Sequence, residues 1–291
     1  MSSDTITDTT TVHASGTFTI DGTTVHRLGF GAMRLTGQGI WGPPADHAEA
    51  VRVVQRAVEL GVDFIDTADS YGPYVSEEII REALHPYPEQ VLVATKAGLV
   101  RTGPDGWFPV GRPEYLRQEV EMSLRRLRVE RIELMQLHRI DAKVDLADQI
   151  GVFVDLQQEG KIGAFGLSEV SVEQLKQVQD IISVATVQNR FNLTDRTSED
   201  VLDYATEQGI GFIPWAPIAA GALAKPGGPV DDVVKATGAS VSQVALAWLL
   251  HRSPVILPIP GTSTVSHLED NLGAGAVTLT DDQVAELSAA A

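Results

Sequence analysis

The chain has 291 residues, of which 43 % are hydrophobic; it has no cysteine and a formal net charge of −17. That composition supports a large core and excludes a disulfide scaffold, a thiolate zinc site and an iron–sulfur cluster, while remaining compatible with a reducing cytoplasm. The acidity opposes nucleic-acid and anionic-membrane partners, so an anionic ligand would have to be held by local cations and helix N-termini against the overall field.

The first stretch, "MSSDTITDTTTVHAS", has neither a basic nor an apolar segment of the signal-peptide kind and is expected to be a flexible tail over residues 1–15. An ordered domain is expected over 16–291, with no membrane span because no apolar run is long enough. Thr17–Ile20 and Thr23–His26 alternate about Asp21-Gly22, which predicts a β-hairpin. Eight short apolar runs follow: 28–33, 62–68, 91–96, 132–138, 162–168, 184–189, 211–217 and 255–260. Each reads as a strand buried on both faces, and helical stripes such as Leu116, Val120, Leu124 and Leu127 lie between them. Capping boxes are expected at Ser171/Gln174, Ser240/Gln243, Ser266/Glu269 and Thr280/Gln283. "KPGGP", Lys225–Pro229, reads as a flexible loop. Strands alternating with helices without a linker predict a single (β/α)8 TIM barrel. A doubly wound sheet is the alternative, but "GFGAM" lacks the third glycine of a dinucleotide fingerprint.

Barrel chemistry sits at the C-terminal ends of the strands. The second run ends at Asp66 with Tyr71 just beyond, the third at Lys96, the fourth at His138, and the sixth carries Gln188 and Asn189. Phe64 and Asp66 share a strand face, as do Ala94 and Lys96, and Gln136 and His138. If those faces point inward, a carboxylate, an ammonium and an imidazole converge. Asp66 would anchor Lys96, and Lys96 would lower the Tyr71 pKa so that the phenol acts as general acid to a carbonyl oxygen oriented by His138. Tyr74 competes with Tyr71 for that role on distance alone. Trp41, Trp107 and Phe108, in loops after the first and third strands, are candidate substrate-pocket walls. Arg139 could meet a substrate anion, although strand parity points it away.

"GFGAM", "FIDTADSYG", "VATK", "LMQLH", "GAFGLS", "VQNRFN", "PWAPIAAG" and "PIPGTSTVSHLEDNLGA" resemble, in order and spacing, the aldo-keto reductases, most closely the bacterial members that include pyridoxal reductases. The resemblance implies a barrel closed at the bottom by the hairpin and a reversible, NADPH-dependent reduction of an aldehyde or ketone. It carries the catalytic tetrad onto Asp66, Tyr71, Lys96 and His138. It places Trp215 on the nicotinamide ring, Ser168, Glu169 and Gln188 at its carboxamide, and Gly31, Ala32 and Met33 beside it. Ala216, Pro217 and Ile218 would run along the pyrophosphate, with Gly261, Thr262, Ser263, His267, Asp270 and Asn271 at the adenosine end.

The chain departs from the family pattern in four places. Glu169 stands for a common asparagine, Ala216 for a serine, Gly261 for a lysine and His267 for an arginine. The last two positions often hold the 2′-phosphate, so NADH remains the alternative cofactor to NADPH. The implied protein is a cytoplasmic monomer acting on a small molecule, and the chain's end soon after its last helix predicts an open mouth. The competing function is a cofactor-binding regulatory subunit with vestigial activity. A metal-dependent barrel hydrolase is disfavoured by seven scattered histidines.

Overall fold

The computed structural model describes residues 10–218 and 229–289. β1 (Thr17–Ile20) and β2 (Thr23–His26) form the antiparallel hairpin. Its turn needs two positive φ values, supplied by Asp21 (45°) and Gly22 (86°). The barrel strands are β3 (Phe30–Gly31), β4 (Phe64–Asp66), β5 (Leu92–Ala97), β8 (Ile132–Leu137), β9 (Ile162–Ser168), β10 (Thr186–Gln188) and β11 (Gly211–Phe212). They form one parallel sheet in the order β11-β10-β9-β8-β5-β4-β3. A further hairpin, β6 (Leu99–Gly103) and β7 (Gly106–Pro109), is inserted after β5.

The eighth expected strand closes the barrel without forming a regular ladder. Phe212 N donates to Val255 O at 2.8 Å and Leu257 N to Phe212 O at 2.8 Å, while on the other side Gly29 N donates to Pro258 O at 2.9 Å. Pro258 and Pro260 lack the N–H groups that a continuous strand would need, so pairing reduces to the bridge between Phe212 and Ile256. The closure is tight. A Cβ on Gly31 would stand 2.6 Å from the Ile259 carbonyl oxygen, so the glycine of "GFGAM" serves this contact.

Alternation sorts the strand residues into two cores. Phe64, Leu92, Ala94, Leu134, Ala164, Ile213, Leu257 and Ile259 fill the barrel, and Ile20 and Val25 of the hairpin plug its bottom. The opposite faces meet the surrounding helices. Among these are α2 (His47–Glu59), α3 (Val75–Leu84), α4 (Pro113–Leu127), α5 (Leu146–Gln158), α6 (Val172–Gln179) and α7 (Glu199–Gln208). In chain order the rest are Pro229–Thr237, Val241–Arg252, Val265–Leu272 and Asp281–Ala289. The α4 stripe of Leu116, Val120, Leu124 and Leu127 is buried in this outer core.

Three expectations need correction. Residues 10–15 are not free tail. Thr10–His13 form a helical turn whose Val12 is fully buried, His13 stacks on His26 at 4.1 Å, and the Ser15 hydroxyl accepts from Leu28 N at 3.1 Å. One apolar side chain in a threonine-rich run is enough to anchor it. The capping boxes at Ser171, Ser240 and Thr280 form, but the one at Ser266 does not. The helix there starts two residues earlier than that box requires, at Val265, with Thr264 as N-cap, so Ser266 lies inside it. The expected loop at Lys225–Pro229 lies outside the described residues except for Pro229, which opens a helix.

Because Ile20 is a buried plug, Ile20→Ala should cost about 2–5 kcal/mol. Urea unfolding measures this, and a loss under about 1 kcal/mol would show that the hairpin does not support the barrel.

Candidate active site

The polar residues at the C-terminal strand ends meet above the inner core. Lys96, on β5, is fully buried, and its Nζ donates to Asp66 Oδ2 of β4 at 2.6 Å, to Thr67 O at 2.7 Å and to the Tyr71 hydroxyl at 3.3 Å. The other Asp66 oxygen accepts from Gln136 Nε2 at 3.1 Å and Gln188 Nε2 at 2.8 Å. The carboxylate is thus bonded on both oxygens and holds the ammonium in place, as a buried ion pair requires.

Tyr71 rides on a loop pinned at several points. Thr67 N donates to Ala94 O at 2.8 Å, Asp69 N to Lys96 O at 3.2 Å, and the Thr67 and Ser76 hydroxyls bond at 2.7 Å. The His138 ring stands edge-on to the Tyr71 ring at 5.9 Å between centroids, and its Nδ1 lies 3.2 Å from Ser70 Oγ. The structure therefore brings Asp66, Tyr71, Lys96 and His138 together. Tyr74 is set apart from them: it is 40 % exposed and lies over the Arg126 guanidinium at 4.1 Å.

The electrostatics correct one expectation. Lys96 pulls the Tyr71 pKa down as foreseen, but burial pushes it up more strongly, and the phenol ends above its ordinary 10.0. At neutral pH Tyr71 therefore holds its proton. Burial works against the Lys96 charge, yet the pull of Asp66 and Tyr71 outweighs it and keeps the ammonium above its ordinary range. Burial, reinforced by Lys96 and Arg139, drives His138 well below 6.5, so its imidazole is neutral.

Two cavities share Met33, Tyr71, Gln188 and Trp215. The larger, about 470 Å³, is also lined by Ile40, Leu99, Trp107, Pro109, His138, Arg139 and Ser168. The smaller, about 260 Å³, runs past Gly31, Arg34, Ala216, Pro217, Ile218 and Gly261. Of the expected pocket walls, Trp107 lines the larger cavity. Phe108, next on β7, points the other way and is 53 % exposed, as strand alternation dictates. Trp41 lines neither cavity and sits 5.7 Å from Arg101. Ala32 is turned into the outer core because it opens a 3-10 turn there.

Thr262, Ser263, His267, Asp270 and Asn271 lie beyond both cavities. Ser263 and His267 are exposed, whereas Asp270 is tied into the fold by a 2.9 Å bond from the Ser240 hydroxyl. The first amide of this helix, Val265 N, donates to Glu49 Oε1 at 3.0 Å, so part of the expected anion-binding helix end is already taken by a carboxylate. Glu169 likewise turns from the cavity. Its Oε1 accepts from Trp215 Nε1 at 2.5 Å and Arg190 N at 2.8 Å, fixing the edge of the indole.

Three residues escaped the sequence reading. Gln136 was noted only for its strand face, yet it braces Asp66. Arg34 follows "GFGAM" and places a cation beside the smaller cavity. Arg101 stacks on Trp107 at 3.6 Å and donates to the carbonyls of Gly39, Ile40, Ser70, Gly103 and Gly106, clasping three loops at the mouth. Nothing local in the sequence marks Arg34, or marks Arg101, which joins the distant Gly39, Ile40 and Ser70 to its own hairpin.

A buried carboxylate–ammonium–phenol chain and a neutral imidazole thus stand together at the C-terminal rim of a parallel barrel. The profile of the Aldo/keto reductase family matches residues 27–291, and the chain belongs to that family. It is 52 % identical to an uncharacterised oxidoreductase of Schizosaccharomyces pombe, over 94 % of this chain and 89 % of that one. It is 37 % identical to the pyridoxine 4-dehydrogenase of Escherichia coli, over 94 % and 98 %. Among solved structures, a glycerol dehydrogenase from Gluconobacter oxydans superposes with a TM-score of 0.85 at 31 % identity, covering 95 % of this chain and 96 % of that one.

Two outcomes are expected. Lys96→Met leaves the Asp66 carboxylate buried without its cation and should cost about 3–5 kcal/mol in urea unfolding, much of it recovered by adding Asp66→Asn. A double variant no more stable than the single would remove the pair from this account. His138 is held neutral, so its stabilising contribution is full above the unfolded value of 6.5 and is lost as pH falls below that value towards the folded one. Stability should therefore drop in that window, and His138→Gln should flatten the slope. Identical slopes in the two proteins would contradict it.

Proposed function

We propose that the chain is an NADPH-dependent reductase of aldehydes and ketones, working reversibly, in which Tyr71 is the general acid. The observation that carries this reading is the Tyr71 hydroxyl, which accepts from Lys96 of the buried Lys96–Asp66 pair and lines a cavity of about 470 Å³.

The donor set suits a nicotinamide. Gln188 donates through Nε2 to Asp66, leaving its amide oxygen as an acceptor, and Ser168 offers a hydroxyl as donor. Together they complement a primary carboxamide, and the Trp215 ring, held by Glu169, supplies a flat apolar face. Among the described residues Arg34 is the cation that lines the smaller cavity, along which the pyrophosphate is expected, and His267 and Ser263 are exposed polar groups at the adenosine end. A bound reduced nicotinamide would supply the hydride.

The chain's own residues supply the rest. With Ser70 donating to Nδ1, the neutral His138 keeps its proton on Nε2 and orients the substrate oxygen. Tyr71 passes its proton to that oxygen as the carbonyl is reduced. Lys96, one hydrogen bond away, steadies the phenolate so formed, and Asp66 keeps Lys96 from moving. Burial keeps the phenol protonated beforehand and strengthens the Lys96 interaction when charge appears. The likeness to a pyridoxine 4-dehydrogenase makes pyridoxal the first substrate to try. A cytoplasmic monomer is the setting we propose.

Tyr71→Phe removes the proton donor and should lower kcat for pyridoxal or another aldehyde by roughly 10²–10⁴. NADPH should still quench the indole fluorescence of this variant, and the quenching should vanish in Trp215→Ala. Turnover near wild type in Tyr71→Phe would sink the assignment, and failure of the unmutated protein to bind either NADPH or NADH would overturn the cofactor.

A further inference from the structure

We propose that Arg139 is an anion-recognition group of the substrate pocket, selecting carbonyl compounds that carry an anionic oxygen beside the reacting carbon. This rests on the reductase reading above and narrows it to a substrate class.

Arg139 follows His138 directly, and strand parity alone would have pointed it away from the site. It instead lines the larger cavity together with Tyr71, His138 and Trp107. The guanidinium is anchored through Nη1 alone, which donates to His138 O at 2.6 Å and to Ser168 Oγ at 2.9 Å. Its Nη2 and Nε groups have no protein acceptor among the described residues, and no carboxylate forms an ion pair with it there. Glu169 is the acidic group it feels most, but that carboxylate is committed to Trp215 and Arg190. A half-buried cation without a counter-ion in a chain of net charge −17 is a local exception to the protein's field.

Chemistry and geometry then restrict the ligand. A guanidinium fork fixed at one nitrogen presents the remaining N–H groups in a plane, the arrangement that carboxylates and similar anionic oxygens match. Met33, Ile40, Leu99, Trp107 and Pro109 in the same lining are apolar and suit a hydrocarbon or ring. Because Arg139 adjoins His138 and interacts electrostatically with the Tyr71 phenol, the anion sits near the carbonyl rather than at the far end of the molecule. An α-oxo acid fits this description, as does pyridoxal, an aldehyde with an ionisable hydroxyl on the adjacent ring carbon.

The test compares benzoylformate with its methyl ester, which share the reacting ketone and differ in charge. Wild type should favour the acid. Arg139→Met should lower kcat/KM for benzoylformate by on the order of a hundredfold while leaving the ester within about threefold. Arg139→Lys should restore part of the loss. The NADPH dissociation constant, read by indole quenching, should hold within about twofold in both variants. Equal loss on acid and ester, or weakened NADPH binding in its place, would show that Arg139 serves Ser168 and the cofactor and would overturn the proposal. Wild-type reduction of the ester but not the acid would overturn it too while leaving the reductase intact. No NADPH oxidation with either compound or with pyridoxal would remove the reductase reading, and the anion assignment with it.

Discussion

The site is organised around one buried ion pair, Lys96 Nζ to Asp66 Oδ2 at 2.6 Å. Both groups are removed from water, a costly placement that is a weak source of stability. It persists because every other hydrogen-bonding capacity of the pair is met, by Thr67 O on the lysine and by Gln136 and Gln188 on the aspartate. The result is a fixed positive charge in a low-dielectric setting, 3.3 Å from a phenol. Such a charge acts little on the protonated ground state and strongly on a phenolate, which is what a proton donor needs in the transition state.

A second polar system governs the mouth. Arg101 draws loops from three parts of the chain onto Trp107 and shapes the wall of the larger cavity. Glu169 adopts a left-handed backbone, φ 56°, and grips the Trp215 indole. That strained conformation places its carboxylate outside the carboxamide position and makes it a brace for an aromatic ring. The departure from asparagine thus changes the residue's task without opening the site. Around the Val265–Leu272 helix the fold uses polar groups internally, with Ser240 donating to Asp270 and Val265 N donating to Glu49.

Period-two alternation, carried to the end of each apolar run, assigns Asp66, Lys96 and His138 to the inward face by arithmetic, and Asp21-Gly22 marks the hairpin turn; the place of that hairpin at the barrel bottom came only with the family resemblance. The method failed where the backbone leaves strand geometry. Arg139, two residues past the end of β8, lines the cavity although alternation sends it outward. Phe108 was grouped with Trp107 as pocket wall because an irregular loop was expected, whereas β7 separates the two onto opposite faces.

By itself the sequence determined the barrel, its N-terminal hairpin and the identity of the groups at the strand ends, because those depend on local periodicity and on the polarity of single positions. Only the tertiary structure decided how those groups are charged and which are free. Burial holds Tyr71 protonated against the pull of Lys96 and, together with Lys96 and Arg139, keeps His138 neutral, and desolvation is a property of everything packed around a side chain. The partners of Gln136 and Glu169, and the Gly39, Ile40 and Ser70 carbonyls that Arg101 holds, lie tens of residues away, and contacts at that separation are set by the closure of the barrel, which no local pattern encodes.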